Sequence, residues 1–370
     1  MSNSITFKLL LMLFVSFHGL SELEAAQEGS EAFRRLDRNQ DGRLTQDEFS
    51  GRLFSRIDTN KDGIITLEED MVFSRRPNAN RPQRKQVPDT IVTEFDLPYA
   101  GTSNARQKLD IYVPKIKKSV HPLPVVAFIH GGAWRAGDKR SGADTLIPLV
   151  ASGDYIGVSI GYRLSNEATW PAQIHDCKAA IRWLKAHAEK YNLDPTRIGV
   201  TGTSAGGHLV AMLGTSGDVP ALEGNLGSHL TESSRVACVV DLFGPSDLLS
   251  MGGSHNNANS PESQLVGGPL QETQEVARDA SPTQYVTEDD PPFLLIHGTE
   301  DPLVPFQQST LLHAKLEKSE VETLLIPIEN GKHGNFDTPE VAKRMRQFFD
   351  RNLRGMSLSV SAAPIEQGGQ

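Results

Sequence analysis

The sequence predicts an α/β protein in which a mostly parallel sheet carries helices on both faces, preceded by a small α-helical domain. Three observations support this prediction. From residue 91 to residue 354, short β-branched runs alternate with longer helical patterns. Residues 202–206 read Gly-Thr-Ser-Ala-Gly and join a strand pattern to a helix pattern. Near the N-terminus, two acidic segments of the same design follow each other.

Composition narrows the class of protein. The chain has 370 residues, more than one average core needs, which predicts one large domain and a small additional one. Its net charge of -9 and the lack of a basic patch in the predicted folded part argue against nucleic acid as a partner. The two cysteines, Cys177 and Cys238, lie far apart within apolar patterns, so we expect buried free thiols rather than a disulfide.

Residues 1–26 are predicted to be a signal peptide. Lys8 precedes the apolar run from Leu9 to Phe17, which is too short to span a bilayer but suits the hydrophobic region of an export signal. Small residues suitable for cleavage follow, and no cysteine nearby could carry a lipid anchor. We therefore expect an exported protein, periplasmic or extracellular, with no transmembrane span in the mature chain.

Two loops, which begin at Asp37 and Asp58, have the ligand spacing that calcium requires. Oxygen-bearing side chains stand at loop positions 1, 3, 5, 9 and 12, a glycine stands at position 6, and position 7 offers its backbone carbonyl. This is the EF-hand pattern, and residues 27–73 are predicted to form a pair of EF-hands that bind Ca²⁺. The predicted ligands are Asp37, Asn39, Asp41, Arg43, Thr45 and Glu48 in the first loop and Asp58, Asn60, Asp62, Ile64, Thr66 and Glu69 in the second.

The two loops begin 21 residues apart, so residues 49–57 must serve both as the exit helix of the first and as the entry helix of the second. This spacing departs from calmodulin-like pairs and resembles the compact EF-hand repeats of exported bacterial proteins. It favours a structural or tethering calcium site that the catalytic chemistry does not require. The proline-rich, basic residues 74–90 that follow are predicted to be a solvated linker.

The elements of the large domain, residues 91–354, follow from two periodicities. Apolar and β-branched runs predict strands, and apolar residues at helical spacing predict helices. The predicted strands cover 92–95, 108–113, 124–129, 155–160, 197–201, 236–242, 293–296 and 322–326, and the predicted helices cover 142–151, 171–191, the stretch after Ser204, 307–317 and 339–354. Residues 244–286 predict a long excursion over the carboxyl ends of the strands, and residues 355–370 a disordered tail.

Ser204 is the candidate nucleophile of this domain. A strand that turns sharply into a helix presents the serine at its apex, and the glycines on either side permit the turn. A serine hydroxyl needs a base to accept its proton and an acid to orient that base. For a serine at such a turn, the acid and the base follow in that order, each just after a later strand.

Asp301 and His333 meet these conditions. Asp301 lies in a polar turn after the strand 293–296, with Glu300 as its nearest rival. His333 lies on a glycine-flanked loop after the strand 322–326, and it is the only one of the 11 histidines beyond both Asp301 and the last predicted strand. Together with the serine, these two residues predict a catalytic triad.

The oxyanion hole is predicted from three backbone amides. One belongs to Ala205, which follows the serine, and the others belong to Gly131 and Gly132, which follow a buried strand. Two consecutive glycines let the backbone turn its N–H groups toward a carbonyl oxygen without an intruding side chain. In the same loop, we expect His130 to steady the backbone, and Trp134 either walls the acyl pocket or fills the core.

Several motifs together resemble one known family. They are His130-Gly-Gly-Ala-Trp134, Gly161-Tyr-Arg-Leu164, Pro171-Ala-Gln-Ile-His-Asp176, Gly202-Thr-Ser-Ala-Gly-Gly-His208, Gly244-Pro-Ser-Asp247 and the segments around Asp301 and His333. They resemble the α/β-hydrolase fold esterases related to hormone-sensitive lipase and to the bacterial feruloyl esterase-like group. The resemblance covers roughly residues 90–354 and departs from the commonest His-Gly-Gly-Gly form at Ala133.

The resemblance implies the hydrolysis of carboxylic esters through an acyl-enzyme at Ser204, with a small-molecule or carbohydrate-linked ester as substrate. It leaves the ester itself open: acylated polysaccharide fragments and small aryl or alkyl esters both remain. For the family-typical Tyr162, Arg163 and Asp176 we expect scaffold hydrogen bonds. Asp247 either braces the site or caps the next helix.

Two other functions remain open. The same triad cleaves amides, so a formamidase or a peptidase is one alternative. A calcium-dependent scaffold that carries an inactive hydrolase is the other, and the intact triad argues against it.

Overall fold

The computed structural model describes residues 33, 36–49, 54–75, 84–334, 336 and 339–367. The chain divides into two compact units between residues 81 and 82. The predicted signal peptide lies outside the described residues. Within the described residues, no helix combines the length and the apolar character needed to cross a membrane.

The N-terminal unit is built on a small sheet and short helices. Strands β1 (Arg43–Thr45) and β2 (Ile64–Thr66) pair antiparallel, with Leu44 opposite Ile65. Helix α1 (Phe54–Ile57) lies between the strands in the sequence, and helix α2 (Leu67–Arg75) follows β2. The small core contains Phe33, Leu44, Phe54, Ile57 and Ile65. Because α2 ends at Arg75, this unit continues two residues into the predicted linker.

Residues 84–90, the end of the predicted linker, lie against the large unit. The guanidinium of Arg84 forms ion pairs with Asp96 at 2.5 Å and with the buried Asp110 at 2.7 Å. Lys85 forms an ion pair with Asp144. The expectation of a solvated spacer is therefore wrong for Arg84, because a buried carboxylate of the sheet pairs with it. Lys85 and its partner Asp144 are both exposed, as a solvated spacer requires.

The large unit is organised on a nine-stranded sheet. Its strands are β3 (Ile91–Pro98), β4 (Lys108–Pro114), β5 (Leu123–Ile129), β6 (Ile156–Ile160), β7 (Leu193–Thr203), β8 (Cys238–Leu242), β9 (Phe293–Gly298), β10 (Thr323–Glu329) and β11 (Ile365–Glu366). Their order across the sheet is β11-β10-β9-β8-β7-β5-β6-β4-β3. Strands β5 to β11 are parallel to one another, whereas β4 pairs antiparallel with both β3 and β6.

Helices cover both faces of this sheet, as the alternation of periodicities predicts. They are α3 (Ala143–Ala151), α4 (Ala172–Ala186), α5 (Ala188–Tyr191), α6 (Ala205–Thr215), α7 (Pro220–Glu223), α8 (Pro261–Val266), α9 (Gln274–Asp279), α10 (Gln307–Lys318) and α11 (Pro339–Arg354). The predicted helix 171–191 is two helices in the structure, because the backbone leaves helical geometry at His187.

Two apolar cores lie on opposite faces of the sheet. Alternate residues of β5 point to opposite faces, so Val125 and Ala127 join one core while Val126 and Phe128 join the other. Helices α4, α6 and α10 cover the first core, and α3 and α11 cover the second. Both cysteines are buried and free, as expected from their apolar surroundings.

The C-terminal residues correct one prediction. The predicted disordered tail, 355–370, is wrong over 355–367, because β11 extends the sheet by pairing parallel with β10. Val360 and Ile365 are buried, and the guanidinium of Arg344 donates hydrogen bonds to the carbonyl oxygens of Ser361 and Ala363. Isolated apolar residues in a short segment produce no periodicity, which is why the sequence pattern did not indicate this strand.

Candidate active site

The turn around Ser204 holds a strained backbone. Ser204 follows β7, begins α6, and has φ 55° and ψ -120°, a conformation that costs a non-glycine residue about 1–3 kcal/mol. A Cβ at position 202 would lie 2.3 Å from the carbonyl oxygen of Gly206, and one at position 206 would lie 2.1 Å from that of Ile129. Only glycine therefore fits on either side, and the serine side chain is held at the carboxyl edge of the sheet.

Ser204, His333 and Asp301 form one chain of hydrogen bonds. Nε2 of His333 lies 3.0 Å from Oγ of Ser204, and Nδ1 of His333 lies 2.7 Å from Oδ2 of Asp301. A carboxylate only accepts hydrogen bonds, so Nδ1 carries the proton of the neutral ring and Nε2 is left to accept from the serine hydroxyl. The structure thus brings together the three residues that the order of strands predicts.

The side chain of Asp301 is buried, and both of its oxygens form hydrogen bonds. Its Oδ1 accepts from the amides of Leu303 at 2.8 Å and Val304 at 2.9 Å. Burial opposes its ionisation, but the hydrogen bonds from His297, His333 and the two amides outweigh burial and hold the pKa of Asp301 well below its ordinary value. The carboxyl group is therefore anionic at neutral pH.

Glu300, the rival of Asp301, has a different environment. Its side chain is about half exposed and pairs with Lys332 at 2.6 Å. Only Asp301 of the two contacts His333, which decides between them on geometry.

The loop after β5 lies beside the serine. A Cβ at Gly131 would stand 2.7 Å from the carbonyl oxygen of Thr203, so the glycine allows the close approach. Gly132 has φ 117°, and Ala133 and Trp134 follow in the left-handed region. Among the described residues, nothing accepts a hydrogen bond from the amides of Gly131 and Gly132. The amide of Ala205 opens α6, where helical N–H groups lack an intrahelical partner.

Buried aromatic residues support this loop. The ring of His130 stacks on Tyr162 at 4.3 Å, and the Tyr162 hydroxyl donates to the carbonyl oxygen of His130 at 3.0 Å. Nε1 of Trp134 donates to Nδ1 of His208 at 3.2 Å, and Nε2 of His208 donates to Ala280. Burial lowers the pKa of both His130 and His208 to about 4, so both rings are neutral. Both alternatives expected for Trp134 hold, because the side chain is buried in the core and also lines the cavity beside Ser204.

The other family-typical residues make scaffold contacts, as expected. The guanidinium of Arg163 binds the buried carboxylate of Asp176 at 2.7 Å, and the amide of Gln107 donates to the same carboxylate at 2.7 Å. Asp247 accepts from the amide of Leu249 and so caps a 3-10 turn, which supports the capping alternative.

A cavity of about 700 Å³ opens over the serine. One wall holds the catalytic groups and the loop 131–135, and another wall comes from the excursion 244–286. Its lining includes Gly131, Gly132, Trp134, Ser204, Ala205, Phe243, Pro245, Ser254, His255, Pro261, Glu262, Leu303, Val304 and His333. The three predicted oxyanion donors therefore share a wall with the candidate nucleophile.

The two acidic loops adopt the turns that calcium loops require. Gly42 and Gly63, at position 6, have φ 75° and 81°. In the second loop, one Glu69 oxygen accepts from Thr59 and Asn60, and the other accepts from Thr66. Burial opposes ionisation of Glu69, but these hydrogen bonds lower its pKa to about 2.

The donor set of the second loop fits Ca²⁺, a hard cation that takes oxygen ligands. Oδ1 of Asp58 is buried and has no hydrogen-bond partner among the residues described, as a ligand oxygen would. Across the ranges that the structure describes, no group of three His, Cys, Asp or Glu side chains converges closely enough to hold a metal ion. The oxygens of Glu69 instead satisfy the backbone of the loop.

Comparison with known proteins assigns both units. Residues 109–316 match the BD-FAE family. The chain belongs to the BD-FAE family. Residues 30–51 and 52–69 each match the EF hand. These matches confirm the α/β-hydrolase fold and the EF-hand pair that the motifs indicate.

Individual relatives of this BD-FAE chain carry esterase names. LipM of Mycobacterium tuberculosis (strain ATCC 25618 / H37Rv), a probable carboxylic ester hydrolase, is 36% identical over 216 residues, which are 58% of this chain and 49% of LipM. The chain thus spans about half the length of this curated relative.

Two solved structures carry carbohydrate-related titles. A truncated form of carbohydrate esterase from gut microbiota is 36% identical with a TM-score of 0.68, over 73% of this chain and 100% of that one. A bifunctional GH43-CE of Bacteroides eggerthii is 35% identical with a TM-score of 0.66, over 72% of this chain and 36% of that one.

Sequence reasoning missed two residues of the BD-FAE site. His297 is buried at the end of β9, where Nε2 contacts Asp301 and the carbonyl oxygen of Val304, and Nδ1 contacts Ser309 at 2.7 Å. Phe243, with φ 47°, packs its ring edge-on against His333 at 4.7 Å. For His297, the signal in the sequence was a histidine directly after a predicted strand and four residues before the candidate acid. No signal in the sequence indicated Phe243.

Proposed function

We propose that the protein is a serine esterase that hydrolyses carboxylic esters through an acyl-enzyme at Ser204. The observation that carries this proposal is the hydrogen-bonded chain from Ser204 through His333 to Asp301. The esterase names of the relatives support the same activity.

In the first half of the reaction, Nε2 of His333 accepts the proton of Ser204 as Oγ attacks the carbonyl carbon of the ester. Asp301 holds the ring in the required tautomer and stabilises the imidazolium that forms. The amides of Gly131, Gly132 and Ala205 donate to the oxyanion. His333 then gives its proton to the leaving alcohol, and the acyl group remains on Oγ.

In the second half, water replaces the alcohol. Nε2 of His333 accepts a proton from the water as its oxygen attacks the acyl carbon, and the same amides stabilise the second oxyanion. The proton returns to Oγ of Ser204 as the bond from the acyl carbon to Oγ breaks. The products are one carboxylic acid and the regenerated serine.

For the substrate we propose acylated polysaccharide fragments. The carbohydrate esterase structure supports this class, since the whole of that solved chain matches 73% of the present one. Small aryl or alkyl esters are the second candidate, supported by the carboxylic ester hydrolase name of LipM.

For the N-terminal unit we propose calcium binding by the twelve predicted ligands of the two EF-hand loops. The Ca²⁺ would neutralise the carboxylates of Asp58, Asp62 and Glu69 and so stabilise this unit. The apolar run at 9–17 supports export to the periplasm or beyond, where calcium is abundant.

The decisive experiment compares the purified protein with Ser204→Ala in the hydrolysis of 4-nitrophenyl acetate. We expect the substitution to lower kcat/KM at least about 10³-fold, because the nucleophile is lost. Equal, background rates for both proteins would refute the esterase proposal. Formamide and dipeptide amides, assayed beside the ester, test the amide-cleaving alternative.

A further inference from the structure

A second pair of a histidine and a carboxylate lies in the wall of the cavity that contains Ser204. His255 belongs to the 3-10 turn Gly253–Asn256, and Glu262 is the second residue of α8. Both come from the excursion over the carboxyl ends of the strands, and both line the cavity. The mechanism of ester hydrolysis uses neither of them.

The carboxylate of Glu262 is buried and committed to the ring of His255. Nδ1 of His255 donates to Oε1 of Glu262 at 3.0 Å, and the Glu262 side chain is 4% exposed. The second oxygen, Oε2, is buried and has no partner in the described part of the chain. A buried carboxylate is costly unless it is paired, and within the described residues the ring of His255 is the partner that the side chain of Glu262 has.

The contact with Glu262 orients the ring of His255 and leaves its Nε2 without a hydrogen bond to the described residues. The side chain of His255 is 18% exposed. The rings of His297 and His208 differ, because both nitrogens of each contact protein groups. His255 therefore resembles a ring prepared for an external partner more than a ring satisfied by the core.

The tautomer decides the chemistry of that partner. With the Nδ1 proton directed at Glu262, Nε2 of the neutral ring accepts a hydrogen bond, and after protonation it donates one. A hydroxyl group both donates and accepts, so it can pair with either form. An aryl or alkyl leaving group without a hydroxyl offers nothing to this nitrogen.

We propose that His255, oriented by Glu262, is a specificity-determining residue that hydrogen-bonds a free hydroxyl in the alcohol portion of the ester. This inference rests on the proposed esterase function and narrows it: the preferred substrate is the ester of a polyhydroxylated alcohol such as a sugar. Glu262 acts only through the ring, as a positioning residue.

The test compares two acetates whose alcohols are six-membered rings with and without hydroxyl groups. A mono-O-acetylated methyl xyloside carries free hydroxyls, and cyclohexyl acetate carries none. Acetate release gives kcat/KM for each ester. The quantity compared between variants is kcat/KM for the xyloside divided by kcat/KM for cyclohexyl acetate. Using one acyl group keeps the acyl pocket out of the comparison.

We expect His255→Leu to lower this ratio about tenfold, through a higher KM for the xyloside, because the hydrogen bond forms with bound substrate and transition state alike. Glu262→Ala frees the ring and lowers the ratio similarly. Glu262→Gln still holds the ring, because its amide can accept from Nδ1 or donate to it and a hydroxyl pairs with Nε2 in either tautomer, so this variant retains most of the ratio. The matched control is His313→Leu, since His313 forms its own pair with Glu317 and does not line this cavity.

The outcomes separate the two proposals. A ratio that stays constant in His255→Leu and Glu262→Ala, in proteins that still hydrolyse both acetates, overturns the hydroxyl subsite and leaves the esterase intact. A fall in the ratio for Glu262→Gln as large as for Glu262→Ala overturns the positioning role of Glu262. If the unmodified protein hydrolyses 4-nitrophenyl acetate no faster than Ser204→Ala does, the esterase proposal fails and the subsite fails with it. Hydrolysis of that ester without hydrolysis of the xyloside overturns the subsite alone.

Discussion

His297 and His333 hold the same carboxylate oxygen from two directions. Nε2 of His297 lies 3.2 Å and Nδ1 of His333 lies 2.7 Å from Oδ2 of Asp301. The amides of Leu303 and Val304 occupy the other oxygen. Because every one of these groups donates, the network fixes both the charge and the orientation of the carboxylate before substrate arrives.

Removing one of the two histidines tests this shared contact. We expect His297→Leu to lower kcat/KM for 4-nitrophenyl acetate about tenfold, because the carboxylate loses a donor and can rotate away from His333. Removing this hydrogen bond is also expected to raise the pKa of Asp301. Kinetics and urea unfolding, measured together with His313→Leu as a control, check the result. Normal kinetics in a destabilised variant would show that His297 serves the core alone.

The choice between Asp301 and Glu300 can be tested by a matched pair of substitutions. Asp301→Asn offers His333 an amide that can donate to Nδ1 and favour the wrong tautomer, so we expect kcat to fall about 10⁴-fold. Glu300→Gln breaks only the exposed pair with Lys332, so we expect a change of less than about twofold. Comparable losses in both variants, measured with 4-nitrophenyl acetate, would contradict the assignment.

The buried ring of His208 makes the free energy of unfolding depend on pH. Burial lowers its pKa from 6.5 to about 4. The unfolded chain therefore binds this proton more readily, and stability is fully present above pH 6.5 and is lost as the pH falls toward 4. Between pH 7.5 and 5.0 the loss amounts to about 2 kcal/mol. His130 contributes a similar loss, since its pKa is lowered to about 4 as well.

The variant His208→Gln separates the pH-dependent contribution of His208 from that of other buried groups. Asp241 acts in the other direction, because burial raises its pKa to about 7 and its contribution is lost as the pH rises through 7. Urea unfolding of the unmodified protein and of His208→Gln at the two pH values separates the effects. We expect the variant to lose about 2 kcal/mol less than the unmodified protein over this interval. Parallel pH profiles would show that His208 does not titrate as described.

Calcium binding can be measured apart from catalysis. Titration calorimetry of the unmodified protein with CaCl₂ should show heat of binding that disappears when Asp37 and Asp58 are both replaced by Ala, because each supplies the first ligand of its loop. An unchanged isotherm in the double variant would refute the assignment of the loops. Hydrolysis of 4-nitrophenyl acetate is expected to change less than about twofold with a chelator, since His333 and Asp301 supply the proton chemistry.

The order of the elements in the large unit could be predicted because the two cores impose different patterns on strands and helices. Each predicted strand from 92–95 to 322–326 has a counterpart in the sheet, with ends that differ by a few residues. The strand at Ile365 could not be predicted, because a two-residue pairing at a sheet edge depends on the neighbouring β10 rather than on its own sequence. The break at His187 depends likewise on the backbone and not on the apolar spacing.

In the active site, sequence order was sufficient for residues that stand at strand ends. Ser204, Asp301 and His333 follow β7, β9 and β10, and parallel strands deliver their carboxyl ends to one edge of the sheet. His297 and Glu262 act through side-chain contacts with residues only four and seven positions away, but the partners lie in irregular loops, where neither helical nor strand periodicity predicts which side chains meet. The contacts of these two residues emerge only in the folded chain.

The short strand β11 also concerns the behaviour of the protein at high concentration. It occupies hydrogen-bonding groups at one end of β10, on the edge of the sheet. Unpaired edges of this kind recruit strands from other molecules. A chain shortened to residue 354 would leave the outer edge of β10, Thr323–Glu329, unpaired along its whole length, so we expect it to self-associate more readily than the full chain.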